Sequence, residues 1–358
     1  MIRFNKNMLG LARELRSTTQ GELAVASGLS QTKVSKIEAG LLVPTEEEVK
    51  RLSDALHLPI AFFGHDGPRP ARGSTCLNHR KKQSARVRDL NRVHAQFAYL
   101  RLQIEELLAG VQINASRSLY QIDVDAMDGD VEHIAEIIRQ TWGVPPGPVE
   151  NLTTWIEHAG AIVVRADIES TEIDAMGFWP DAGPPVIFVN AASPGDRLRF
   201  SLAHELGHLV MHAGPIGDIE KEANRFAAEF LMPRASILPE LASGRVTIQK
   251  LAALKIRWKV SVQSLVRRAH DLSVITDRQY RSLMMQISKM GWRTSEPVRI
   301  EPEQPTVLSS IVNHYLSRKG FTLAELSTLA ISLEPEFCRQ YFGEENSNRI
   351  QNGVRFVR

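Results

Sequence analysis

The sequence has almost no cysteine. Cys76 and Cys338 are the only two in 358 residues, which excludes a disulfide framework, and their separation does not fit a paired-cysteine zinc motif. Both read as free thiols; the further role open to Cys76 is a thiolate that caps a metal in an inhibited state. Long apolar runs are also missing. No stretch approaches the ~18 residues of a membrane-crossing helix, and the opening MIRFNKNMLGLAREL lacks the apolar core and cleavage site of a secretory signal. The chain is therefore expected in the cytoplasm, with no membrane partner.

Net charge is nearly absent too, at +2, but that balance hides segregation. Residues 1–82 carry 13 basic and 8 acidic side chains, residues 120–235 carry 7 and 19, and residues 236–358 carry 18 and 11. The middle of the chain is thus unsuited to polyanions, whereas both ends suit contact with nucleic acid. With 43% hydrophobic and 23% charged residues the composition is that of a soluble protein of two or three domains.

The richest chemistry lies in FSLAHELGHLVMHAGPIGDIEKEANRFAAEFLMP, from Phe200 to Pro233. His204 and His208 are four residues apart and so share one face of a helix, where both can turn toward one cation; Glu205 then points near the open coordination position. A zinc ion with three protein ligands leaves that position to a water, for which Glu205 is the candidate general base. His212 continues the four-residue spacing, but eight residues of unbroken helix rise about 12 Å. It cannot share a metal with His204, and reads as a helix-end or supporting residue. After the turn at Gly214, Pro215 and Gly217, a second helix is expected from about Asp218 to Leu231. Glu220, Ala223, Asn224, Ala227 and Ala228 form one face of it, which makes Glu220 the third metal ligand. Asn224, one turn on, is placed to hold a ligand histidine by its other ring nitrogen. Glu222 is expected to point elsewhere as a solvated charge.

This stretch resembles the ImmA/IrrE family of bacterial metallopeptidases in RFSLAHELGHLVMH, in EKEANRFAAEFLMP and in the strand-like PPVIFVN at 184–190. The resemblance implies a Zn2+ site of His204, His208 and Glu220, with Glu205 as catalytic base. It also implies a protein substrate, a helix-turn-helix repressor cleaved in a stress or mobile-element response, with this chain's own linker as a further candidate.

The amino-terminal residues 1–65 read as four short helices. Thr19 and Glu22 have capping-box spacing, as do Thr45 and Glu48; Ser30 starts the third helix and Gly40 ends it. Counting from Gln20, a small Ala24, a turn Gly28 and apolar Val34 and Ile37 fall where two steeply crossing helices need them. The segment resembles the Cro/C1-type (XRE) helix-turn-helix domain. That resemblance implies that Gln31, Thr32, Ser35 and Lys36 face the major groove of a double-stranded DNA operator, with Gln20 and Ser30 beside phosphates.

Residues 66–119 read as a linker and a long amphipathic helix. His65 to Gly73, rich in proline and glycine, is expected to be extended and mobile, and the basic HRKK cluster follows at 79–82. Residues 84–110 form the helix, with Leu90, Val93, Phe97, Leu100, Ile104 and Leu107 in one apolar stripe. The stripe is expected to pack within the chain, although a homodimer formed through it would supply the two half-sites such DNA-binding modules use. Residues 120–235 alternate helices at 131–142 and 152–158 with short strands at 161–165, 176–179 and 186–190, and form the metallopeptidase domain. Residues 236–358 are helical, with a helix-turn-helix-like pair at 248–254 and 262–269. The fold class expected is α+β, mostly helical. The alternative function is a transcription factor whose metallopeptidase fold is a sensor or dimerisation platform without turnover. Arg197 or Arg199, expected just before the metal-ligand helix, is the candidate for stabilising an oxyanion.

Overall fold

The computed structural model describes residues 3–67, 71–72, 87–113, 115–168, 173–181, 183–212 and 218–342. Cys76, the HRKK cluster and residues 68–70 and 73 of the proposed linker lie outside these residues.

Four short helices open the chain: α1 (Lys6–Leu15), α2 (Gln20–Ser27), α3 (Gln31–Ala39) and α4 (Glu46–Leu56). Their boundaries follow local chemistry. Thr19 and Thr45 form reciprocal capping boxes with Glu22 and Glu48, and Gly28 and Gly40 end α2 and α3 in the left-handed conformation. Leu9, Ala12, Leu23, Val34, Ile37 and Leu52 fill the centre of the bundle.

A two-residue strand, β1 (Ala71–Arg72), is followed by the long helix α5 (Val87–Leu108). This helix has two buried faces. Val93, Phe97, Leu100, Ile104 and Leu107 pack against the sheet and the carboxy-terminal helices, as the apolar stripe predicts. Ala95, Tyr99 and Leu102, on the other side, complete the core of the amino-terminal bundle. Phe62 meets Tyr99 edge-on at 5.6 Å, and the Tyr99 hydroxyl donates to the Ile331 carbonyl at 3.1 Å. The division drawn at residue 65 therefore cuts through one core: the bundle is seated on α5. The reason is composition, since a bundle this small gains apolar burial by borrowing a helix face.

Next come α6 (Val131–Trp142), α7 (Leu152–His158), β2 (Ile162–Ala166), β3 (Ala175–Pro180) and β4 (Val186–Asn190). The sheet order is β1-β3-β4-β2, with β2 parallel to β4 and β3 antiparallel to it. Successive side chains take opposite faces. Val163, Ala175, Ile187 and Val189 face the helices that follow the sheet, while Ile162, Val164, Met176, Phe178 and Phe188 face α5 and the carboxy-terminal helices. With both faces covered, even Asn190 at the end of β4 is buried.

The long α8 (Gly195–Met211) crosses under the sheet and α9 (Ile219–Leu231) returns along it. The chain continues through α10 (Arg234–Ala242), α11 (Ile248–Trp258), α12 (Val262–Asp271) and α13 (Asp277–Lys289). Ile237, Leu251, Trp258, Leu265 and Ile287 join the same core as α8 and α9, so the boundary expected at residue 235 is not a break in packing. Finally α14 (Val307–Ser317), α15 (Leu323–Leu329) and α16 (Glu334–Phe342) cover the outer sheet face beside α5. The whole is α+β and mostly helical. Among the described residues no helix is long and apolar enough to cross a membrane.

Candidate metal centre and DNA-facing helix

One turn of α8 presents His204, Glu205 and His208 together, and the first turn of α9 brings Glu220 to them. The two helices approach closely because position 207 has no side chain: a Cβ there would lie 3.1 Å from Phe226 of α9. His204 Nε2 and His208 Nε2 are 3.0 Å apart, and each is 3.5 Å from a Glu220 carboxylate oxygen. Bonds of about 2.0–2.1 Å place the ligand atoms of a tetrahedral zinc centre about 3.3 Å apart. The triangle therefore fits a zinc-sized cation. His204, His208 and Glu220 are the one such group of potential ligands among the described residues. Their side chains are 15%, 3% and 38% exposed, so the open side of the cluster is at Glu220.

The titration of these groups points the same way. Hydrogen bonding to His204 and His208 holds the Glu220 carboxyl far below the ordinary carboxylate range. Burial works to lower His204, but Glu220 and the charge of Glu205 outweigh it and leave its pKa raised. Glu220 is thus held as the carboxylate, and the raised His204 pKa reports the negative charge beside that ring.

Glu205 is buried, and its Oε2 accepts a hydrogen bond from the Gly177 amide of β3 at 2.7 Å. A Cβ at residue 177 would stand 3.2 Å from that oxygen, so glycine permits the approach. Two residues further along β3, Trp179 and Pro180 pair with Arg72 and Ala71 of β1 in antiparallel register.

Behind the triangle stands a second layer. His212, just past the end of α8, has its Nδ1 2.9 Å from His208 Nδ1, and its Nε2 2.9 Å from Glu222 Oε2. Burial pushes the His212 pKa down. Glu222 is thus not the solvated charge expected of it: α9 turns it inward because the chain after His212 returns along the same side of α8. Its signal in the sequence was the unbroken four-residue spacing, which puts His212 one turn below His208. Asn224 lies against His204 as a hydrogen-bond partner, while its Nδ2 donates to the Glu220 carbonyl at 2.7 Å. Neither oxyanion candidate precedes the metal-ligand helix; both lie on α8. Arg199 is buried and held by Glu303 and the Val149 carbonyl, facing away from the cluster. Arg197 is drawn to Asp174 at 3.6 Å.

On α3 the side chains of Gln31, Thr32, Ser35 and Lys36 are exposed on one face, and Val34 and Ile37 are buried on the other. Ser30 is exposed and caps the helix, accepting from the Lys33 amide at 3.2 Å. Gln20 is differently engaged: its Nε2 donates to Glu38 at 2.9 Å, and Arg13 pairs with the same carboxylate at 2.8 Å. The half-buried Gln20 ties α2 to α3 rather than standing free for a phosphate.

Two parts of the chain match known families. Residues 156–270 match the family model of the IrrE N-terminal-like domain, a peptidase family, and residues 9–63 match a helix-turn-helix family model. The first match runs past residue 235 into α12, as the shared core does. No curated protein matches the chain. The chain thus carries two segments similar to known families, a helix-turn-helix segment and an IrrE-like peptidase segment.

Proposed function

We propose that this protein is a DNA-binding transcriptional regulator and a zinc-dependent endopeptidase, which cleaves a helix-turn-helix repressor or its own linker. One observation carries the reading: β3 touches the general base through Gly177 and, two residues away, accepts an extended segment along its outer edge. A strand edge that already pairs with Ala71 and Arg72 is built to hold a peptide by its backbone.

His204, His208 and Glu220 would hold the zinc ion. When bound, such a cation polarises a scissile carbonyl and activates water at neutral pH. The β3 edge aligns the peptide. Glu205, anchored through Oε2, has Oε1 for the proton of the attacking water and delivers it to the leaving nitrogen as the C–N bond breaks. The exposed Gln31, Thr32, Ser35 and Lys36 would read the major groove of a double-stranded operator, and a homodimer would engage two half-sites.

Purified protein with zinc, incubated with helix-turn-helix repressors encoded near its gene and followed by mass spectrometry, tests this. A discrete cleavage product is expected with the wild type and none with Glu205→Gln, which retains DNA binding. Absence of any product, in trans or in the linker, overturns the peptidase reading.

The docking of the DNA-binding bundle on α5 favours a second reading. One face of α5 completes that bundle and the other lies on the peptidase sheet, so a change in the metallopeptidase fold can reach DNA without turnover. On this reading the domain is a sensor or dimerisation platform, and Glu205→Gln leaves transcriptional control unchanged.

A further inference from the structure

We propose that His212 and Glu222 form a hydrogen-bond relay that sets the tautomer of His208 and thereby aims its lone pair at the cation. The inference rests on the metal-centre reading given above. His208 Nδ1 lies 2.9 Å from His212 Nδ1, and His212 Nε2 lies 2.9 Å from Glu222 Oε2. His208 and His212 are buried, with side chains 3% and 6% exposed, so water does not compete for the bond between them.

Donor counting leaves one assignment compatible with a metal ligand. An ionised carboxylate only accepts, so the proton between Glu222 and His212 sits on His212 Nε2. For His208 to offer a lone pair from Nε2, its own proton must be on Nδ1, and it therefore donates to His212. The neutral His212 has that lone pair at Nδ1. Two imidazoles facing each other through Nδ1 share one proton, and Glu222 decides which ring holds it. Were Glu222 missing, His212 could carry its proton on Nδ1 and donate to His208, whose proton would then stand on Nε2 and face His204 and Glu220. Such a ring repels the cation it is meant to bind. This is how a residue two layers from the metal tunes the ligand.

The arrangement also accounts for the third histidine of the motif. Its eight-residue separation from His204 bars it from the cation, and a helix-end histidine has no need of a half-buried carboxylate partner. Glu220 and Glu222, two residues apart at the start of α9, then have separate tasks: one holds the cation and the other holds the relay.

Two measurements test the proposal: the imidazole nitrogen spectrum of 15N-histidine-labelled, metal-free protein, and the zinc dissociation constant by chelator competition. The wild type should show His208 protonated at Nδ1. Glu222→Ala, at a half-buried surface carboxylate that does not threaten the fold, should move His208 toward the Nε2-protonated form and weaken zinc about 10- to 100-fold. His212→Phe should weaken it similarly, whereas His212→Gln, whose side-chain oxygen still accepts from His208, should stay within a few-fold of wild type. A wild-type His208 protonated at Nε2, or wild-type zinc affinity and an unchanged tautomer in Glu222→Ala, overturns the relay. A wild type that binds no zinc yet shows His208 protonated at Nδ1, with the proton moving in Glu222→Ala, supports the relay and overturns the metal-centre reading instead.

Discussion

Two pairs of carboxylates and imidazoles, set within a few residues of one another, divide the work at the metal centre. Glu220 touches both ligand histidines, and Glu222 touches His212. Alanine at His204, His208 or Glu220 removes a metal-bonding atom and is expected to abolish stoichiometric zinc binding, measured by metal analysis of the purified variants. Glu205→Gln should keep the zinc, since no bond to the cation is lost. In the DNA-binding bundle a different carboxylate sets a pH dependence. Burial tends to raise the Glu38 pKa, but hydrogen bonds from Arg13 and Gln20 overcome it and leave it lowered. A carboxylate whose pKa is lower folded than unfolded adds stability above its unfolded pKa, near 4.5, and loses that stability as pH falls through its folded value. The wild-type melting temperature should therefore drop in acid more steeply than that of Glu38→Gln. Parallel acid profiles for the two proteins would remove Glu38 from this role.

At the scale of elements, α5 decides how the two halves of the molecule meet. Its Tyr99 fills the bundle core against Phe62 and reaches the carbonyl of Ile331 between α15 and α16. Tyr99→Ala removes both contacts and is expected to cost about 3 kcal/mol. It should also separate unfolding into two transitions, one for the DNA-binding bundle and one for the rest. Tyr99→Phe loses only the hydroxyl bond, about 1 kcal/mol. Calorimetry of the three proteins checks this, and a single unshifted transition in Tyr99→Ala would show that α5 does not join the bundle to the peptidase fold. The strap after α13 is a second joint. Glu296 pairs with Lys255, Glu303 with Arg199, and Glu157 accepts from the Thr306 and Val307 amides at the start of α14. These bonds fasten the strap to α11, to the amino-terminal half of α8 and to α7.

For the whole molecule, the proposed function has DNA meet α3, while the acidic middle of the chain carries the candidate metal ligands. Operator binding should weaken steeply with salt. Lys36→Ala should lower affinity for all sequences and reduce the slope of log affinity against log salt by about one, and Gln31→Ala should relax base choice at one position in each half-site. Gel-shift titrations over a salt series read both effects. Equal losses on every sequence with Gln31→Ala would assign that side chain to the backbone rather than to a base.

The sequence by itself determined whatever depends on near neighbours along the chain. Capping boxes at Thr19 and Thr45, left-handed glycines at 28 and 40, the histidine pair on one helical face and the apolar stripe of α5 are all relations within a few residues, and local geometry settles them. The grouping of His204, His208 and Glu220 was legible for the same reason, since Glu220 falls in the first turn of α9. Tertiary structure decided the relations between segments far apart. That Glu222 turns inward to His212, that Gln20 is spent on Glu38, that Arg199 faces Glu303, and that Ala95, Tyr99 and Leu102 belong to the amino-terminal core follow from which surfaces meet. No periodicity records this, because one amphipathic pattern is compatible with many partners and only burial of all the apolar faces together selects among them.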